Sequence, residues 1–427
     1  MPRGHMQKIL KAKGLIDVTK GKVVLNPFVL IDGDKIKEIG PQENLFAFQG
    51  QAEILDFSGK YILPGLINSH AHAVMPSDGK PFESIIPLSN EILLLIASNN
   101  SHMALMSGVT TIRDCGGRDS IMFELRKAIE MGIIDGPRFF LSGRPLTITG
   151  GHCHFFHGEV DGIDGITQAV RKLFKEGADF IKIMATGGGT VGSYPEYAAF
   201  SVEEMAAAVQ IAHRIGKTVA VHCRGIPGMK NSIEAGVDQM EHASFEQLGK
   251  GMIFDPELAE KMAKMSMYVT PTLQIHRDML DALHLKKEMG SISPVEKKKL
   301  DDLARILEKK FICFRGLLEA GIQFTAGNDA GSPSTPFDRF WQELEAMVIG
   351  SMSPMEAIIA TTKTAAEAMK LYSEIGSLEA GKQADIVVID DDPTVNITAL
   401  SKVSLVMKSG KIYFRKQGIS TTTLSYS

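Results

Sequence analysis

Residues Ile62–His72 read ILPGLINSHAH, and this stretch decides between two architectures. A short apolar run of this kind has the composition of a strand buried on both faces of a parallel sheet. A doubly wound nucleotide-binding sheet would follow its first strand with a glycine-rich phosphate turn. This run ends instead on His70-Ala71-His72. Side chains alternate along a strand, so both imidazoles face the same way and are placed to clamp one ion.

Seven more apolar runs follow: GVTTIRDCG, PRFFLSG, DFIKIMATGG, TVAVHC, VDQMEHA, MYVTPTL and QFTAGNDAG. Amphipathic helix patterns separate several of them. In SVEEMAAAVQIAHRIG, Ser201 and Glu204 form a capping box and Gly216 marks the stop. Apolar strands alternating with helices predict an α/β protein with a (β/α)8 TIM barrel over 61–372. A doubly wound open sheet is the alternative. The chain ends have a different texture. LIDVTKGKVVLNPFVLIDGDKIKEIG near the start, and ADIVVIDDDP with LVMKSGKIYFR near the end, are meander-like strands and turns. They predict one small β-sandwich domain built from 6–60 and 373–427. The charged SPVEKKKLDDLARILEKKF (residues 293–311) reads as a helix with a solvated face, not a binding site.

The chain has 427 residues and a formal net charge of -4, which leaves no electrostatic footprint for nucleic acid or an anionic membrane. No window approaches the roughly 18 apolar residues of a spanning helix. The opening MPRGHMQKILKAKGLI lacks the apolar core of a signal peptide, and residues 1–5 read as an expression scar ahead of Met6. The four cysteines are scattered without a CxxC pair, as expected of reduced thiols. A cytoplasmic homo-oligomer acting on a small-molecule substrate is expected, with neither nucleic acid nor membrane as partner.

Barrel enzymes carry their reactive groups at the C-terminal ends of the strands. His70, His72, His222, His242 and Asp329 fall at predicted strand ends, and Lys182 falls within the fourth strand. Any one strand-end histidine is more often a hydrogen-bonded core group than a ligand. Together, on separate strands of one barrel, they predict a metal site. Imidazole and carboxylate suit zinc, with iron, manganese or nickel as alternatives. Lys182 sits among Phe180, Ile181, Ile183 and Met184. An unpaired buried ammonium is costly, so such a lysine shifts its pKa, finds a partner or is chemically altered. Snorkelling, or pairing to a buried acid, is the purely structural alternative. Arg224, two residues beyond His222, is placed to meet a substrate carboxylate, with a surface ion pair as its other reading. His276, after TPTLQ, is placed to approach from the seventh strand.

LPGLINSHAH (Leu63–His72), IKIMATGGG (Ile181–Gly189) and GSLEAGKQADIVVID (Gly376–Asp390) resemble the amidohydrolase superfamily, and the resemblance spans nearly the whole chain. It is nearest to the branch of imidazolonepropionase-like proteins, bacterial prolidases and Xaa-Arg or Xaa-Lys dipeptidases. The resemblance implies two divalent metal ions, zinc in the first place. His70, His72 and Asp329 would hold the buried one, and His222 and His242 the outer one. Lys182, N-carboxylated to a carbamate, would bridge them. It further implies that His152, in a TGGH element, lines the pocket, and that Tyr194 or Tyr197 offers a hydroxyl to the substrate. Phe200 stands where several relatives carry tyrosine. His154 and His157 are expected to be solvated or to stand behind the residues that line the site.

The chemistry implied is hydrolysis of a C–N bond in a dipeptide or N-acyl amino acid, prolidase-like, by a metal-bridging hydroxide with Asp329 as proton carrier. One alternative is a mononuclear hydrolase or deaminase of cyclic amides or amidines, like imidazolonepropionase. Such proteins generally lack the bridging lysine. Another is a non-catalytic metal-binding barrel, which would have no need of Asp329 as a proton shuttle.

Overall fold

Each of the eight apolar runs forms a strand in the computed structural model, which describes residues 7–48, 52–419 and 421–423. Residues 1–5, with Met6, lie outside the described set. The strands of this central series are Leu66–Ala71, Val109–Asp114, Arg138–Leu141, Ile181–Met184, Val219–Gly225, Gln239–Gln247, Tyr268–Thr270 and Gln323–Phe324. The first three pair in order as one parallel sheet; the fourth to eighth pair in order in another. The second strand is buried at every position, as a strand covered on both faces requires.

Backbone hydrogen bonds beyond the strand limits join the two sheets on both sides. Asp179 N donates to Leu141 O (2.7 Å), and Leu146 N to Lys182 O (2.8 Å). At the other junction Ser69 N donates to Ala326 O (2.9 Å), Asp329 N to His70 O (3.0 Å) and His72 N to Ala330 O (2.8 Å). Gly327 makes this last approach possible. A Cβ there would lie 2.6 Å from the backbone nitrogen of His70 and 2.6 Å from Cγ2 of Thr270.

The crossover helices bury one stripe each. Gly162–Glu176 buries Ile166, Val170 and Leu173 at i, i+4 and i+7, and Gly177 ends it in the left-handed region. Val202–Arg214 starts on the expected capping box and buries Met205, Ala208, Val209 and Ala212, with Gly216 just beyond it at φ 73°. Between the seventh and eighth strands the chain makes a long helical hairpin, Gln274–Glu288 and Pro294–Glu319. Its own apolar cluster, Leu280, Leu283, Leu300 and Leu303, is separate from the main core.

Strands from both chain ends share one nine-stranded sheet. Its hinge is Ala52–Pro64, which pairs parallel with Gln7–Asp17 and antiparallel with Ile386–Ile389. That strand runs across residue 60 and continues through Gly65 into the first central strand, so the terminal sheet fixes where His70 begins. Asp385 fastens the junction. Its carboxylate pairs with Arg138 (2.5 Å) and accepts from Ser409 N (2.8 Å), while its carbonyl accepts from Gly65 N (2.8 Å). All four cysteines are free and buried. Among the described residues, no helix is long and apolar enough to cross a membrane.

The close approach at Gly327 generates a prediction. Gly327→Ala forces the eighth segment away from His70 and should lower the unfolding free energy by about 1–3 kcal/mol, the usual cost of overpacking. Urea denaturation checks this; an unchanged midpoint would show that the junction yields freely.

Candidate metal centre and active site

The ends of the first, fifth, sixth and eighth segments converge on a cavity of about 210 Å³ lined by His70, His72, Lys182, His222, His242 and Asp329. Imidazole ring centres lie 5.4 Å apart for His70–His72, 5.1 Å for His70–His242 and 4.5 Å for His222–His242. Asp329 Oδ1 lies 3.4 Å from His70 Nε2 and 3.6 Å from His72 Nε2. Ligand atoms of His70, His242 and Asp329 all lie within 4.8 Å of one another. His242 and Asp329 have φ of 70° and 60°, in the left-handed region that side chains rarely adopt. Backbone held there, inside the sixth strand at His242 and past the eighth at Asp329, marks a position constrained by its surroundings, as functional positions often are.

The outer nitrogens of the rings are held by fixed partners. His70 Nδ1 meets Glu241 Oε2 (2.8 Å), His72 Nδ1 the carbonyl of Gly116 (2.9 Å), and His242 Nδ1 the hydroxyl of Thr272 (2.7 Å). Each leaves Nε2 to ligate, the arrangement that orients metal-binding imidazoles. His222 is reversed: Nε2 meets the Gly187 carbonyl at 3.1 Å, leaving Nδ1. Burial lowers the pKa of His72 to about 4 and takes His222 and His242 well below the ordinary imidazole value. Those rings are neutral at pH 7, as ligands must be. His70 differs. Burial pushes it down, but the negative charges around it, those of Asp329 and Glu241, outweigh that and raise it well above the ordinary value. Burial would raise the Asp329 carboxyl, yet His70, then His72 and Lys182, hold it far below the carboxylate range.

Lys182 decides whether this donor set fits metal. It is fully buried, and among the described residues its Nζ has no hydrogen-bond partner. Neither snorkelling nor a direct acid pair accounts for it. A bare ammonium beside four imidazoles and a carboxylate is a poor resting arrangement, whereas an altered lysine with cations beside it is a good one. The residues fit a divalent metal centre.

Of the proposed substrate residues, the structure brings His152, Arg224 and His276 to the cavity wall. His152 packs on His222 with ring centres 4.4 Å apart. Burial, with Arg224 nearby, lowers its pKa to about 3. Thr190 Oγ1 accepts from Cys153 N (3.0 Å) and is hydrogen-bonded to His152 Nδ1 (2.8 Å), which fixes the ring with Nε2 as its other nitrogen. Arg224 is ion-paired to Glu246. Tyr194 and Tyr197 do not join this cavity. They are 65% and 54% exposed and line a neighbouring depression with Gly187 and His152. Phe200 is core. His157 is exposed and pairs with Asp119.

Three buried groups went unread in the sequence. Glu241 links His70 to Arg113, whose Nη1 lies 2.8 Å from Glu241 Oε1. An acid inside VDQMEHA is as anomalous as the lysine inside DFIKIM, and that anomaly was the available signal. Lys310 corrects the reading of 293–311 as carrying no binding site, because it enters the cavity from the long helix. It lies seven residues from both Leu303 and Leu317, on the buried stripe, while neighbouring Lys309 lies off it.

Residues 61–413 match the amidohydrolase family. The chain belongs to the amidohydrolase family. It is a hydrolase of C–N bonds in a superfamily whose members depend on metal. This amidohydrolase is 28% identical over 342 residues to ochratoxinase of Aspergillus niger, a match covering 73% of this chain and 66% of that one. It is 25% identical to an imidazolonepropionase of Fusobacterium nucleatum, over 92% of each chain. Its fold matches a Xaa-Pro dipeptidase crystallised with methionine in the active site, with TM-score 0.81 and 29% identity over 95% of this chain and 99% of that one.

The Glu241–His70 contact yields a test. Glu241→Gln removes the carboxylate that orients His70, and zinc affinity should fall about 10–100-fold, the usual effect of losing such a support. Competition with a chromogenic chelator measures it; unchanged affinity would mean that His70 is positioned by other groups.

Proposed function

We propose that this amidohydrolase is a binuclear metal-dependent hydrolase of small amides bearing a free carboxylate, dipeptides or N-acyl amino acids. The two parallel sheets and their crossovers are read as one (β/α)8 barrel over 61–372, beside a β-sandwich of 6–60 and 373–427. The backbone bonds at both junctions support the barrel reading. The single observation that carries the chemistry is the buried, partnerless Nζ of Lys182 within a ring of metal-ligating side chains.

On this reading Lys182 reacts as the free amine with carbon dioxide, losing a proton and becoming a carbamate anion with two ligand oxygens. That removes the cost of a buried cation and suits a pair of divalent cations, zinc in the first place. His70, His72 and Asp329 would hold one and His222 and His242 the other. Bound cations would supply the charge that acidifies a water and polarises the scissile carbonyl. The remaining steps belong to the chain. Asp329, ionised at neutral pH, accepts the proton of the attacking water and delivers it to the leaving nitrogen. His152, kept neutral by burial, hydrogen-bonds a substrate oxygen. Lys310, which lines the rest of the cavity beside the ion-paired Arg224, favours an anionic substrate over a neutral cyclic amide.

Protein supplied with zinc and bicarbonate should hold about two zinc ions per chain, the complement of a two-metal site. Lys182→Ala should lose zinc and turnover together, with partial rescue by short carboxylic acids. Elemental analysis finding one metal, with an unmodified Lys182 by mass spectrometry, would overturn the binuclear reading.

A panel of dipeptides and N-acyl amino acids should be hydrolysed with kcat/KM at least roughly tenfold above their C-terminal amides, since a site built for a carboxylate leaves its own polar groups unsatisfied without one. Equal rates on acid and amide forms would remove the carboxylate from the proposal.

A further inference from the structure

We propose that Lys310, on the long helix of the hairpin, is the specificity-determining residue that receives the substrate's carboxylate. This inference rests on the reading of the protein as a hydrolase of carboxylate-bearing amides and names the group that selects them.

Two side chains in the cavity carry a permanent or near-permanent positive charge outside the metal cluster, Arg224 and Lys310. Their situations differ. Arg224 is already neutralised: Nε and Nη2 lie 2.8 Å and 2.7 Å from Glu246 Oε1. A substrate carboxylate arriving there would compete with a resident one and repel it. Lys310 has no such partner. Its Nζ donates to the carbonyl of Thr272 (2.9 Å) and lies 3.3 Å from His276 Nδ1, and among the described residues no carboxylate oxygen forms an ion pair with it. The nearby acid Glu343 is engaged elsewhere, accepting from Leu273 N (2.9 Å) and Gln274 N (2.6 Å).

An ammonium has three donors. Two are directed at Thr272 and His276, and the third remains for a ligand. Lys310 is 5% exposed, and a buried charge without an ion-paired counter-charge is the arrangement proteins avoid. Burial pushes its pKa down to about 8, against the pull of Glu343. The missing counter-charge is supplied when an anionic oxygen enters the cavity. Ile275 and Met279, from the same hairpin, line the wall beside it and offer apolar surface to the substrate's terminal side chain. The class selected is therefore an amide of an amino acid with a free α-carboxylate and an apolar side chain.

The test uses zinc-loaded full-length protein, the best acid substrate of the panel and its C-terminal amide. Lys310→Met should raise KM for the acid about 10–100-fold, the value of one charge-assisted contact in a desolvated site, with kcat within about threefold. KM for the amide should not change, so the acid-to-amide ratio collapses towards one. Calorimetric binding of the carboxylate-bearing product should weaken in parallel, a readout independent of turnover. Lys310→Gln, which keeps a donor but no charge, should behave alike and carries the test if the methionine variant is unstable. Arg224→Met should move the ratio less than Lys310→Met. A folded, zinc-replete Lys310 variant that keeps the wild-type ratio, or a larger collapse in Arg224→Met, overturns this assignment and leaves the hydrolase reading standing. A wild-type protein indifferent to acid or amide overturns both.

Discussion

The side chain of Lys182 lies inside a strand of Ile181, Ile183 and Met184, its Nζ without a hydrogen bond among the described residues, and the charges of the surrounding site bear on that position. An isolated ion in such surroundings costs several kcal/mol even after relaxation. The nearest relief is electrostatic. Lys182 contributes to holding both Glu241 and Asp329 ionised in spite of their burial. Glu241 in turn spans from His70 to Arg113, so the strand bearing the lysine, the strand bearing the paired histidines and the strand bearing the arginine share one network of charge. Buried networks of this kind are strong when every member is satisfied and costly when one is not. Here the unsatisfied member lies where modification and cations would complete the set.

The pattern of strands was readable because buried parallel strands are continuous apolar runs, and each run closes on residues that have no reason to be apolar. His70, His72, His222 and Asp329 stand out for that reason. What escaped reading has an equally physical cause. Lys310 belongs to a helix whose other four lysines are exposed, and composition hides the one inward-facing lysine among them. Only the spacing from Leu303 and Leu317 separates it from Lys309. Tyr194 and Tyr197 were placed by resemblance alone, and no local pattern fixes where a loop tyrosine points; both lie out of the cavity. Arg224 shows a third kind of difficulty. Period two puts it on the pocket side, and so it is, but its partner Glu246 lies on the next strand and is invisible to any reading of one strand at a time.

The cavity has two electrostatic halves of different origin. The strand ends supply four imidazoles, those of His72, His222 and His242 neutral, and one ionised carboxylate, a set suited to cations. The hairpin supplies His276 and Lys310, and burial beside Lys310 and Arg224 keeps His276 neutral, well below its ordinary pKa. One half is arranged to receive positive charge and the other to receive negative charge. A substrate with a polarisable carbonyl at one end and a carboxylate at the other matches that polarity along its length.

The hairpin's separate apolar cluster has an evolutionary meaning. Leu280, Leu283, Leu300 and Leu303 hold the two helices to each other, apart from the core that holds the strands. Mutations that reshape this cluster disturb little of the packing beneath the histidines, which begins further along the long helix at Cys313, Phe314 and Leu317. Reactivity and recognition therefore reside in parts that selection is free to vary at different rates. A lineage built on this plan is able to acquire new substrates by revising one surface excursion while its reaction stays the same.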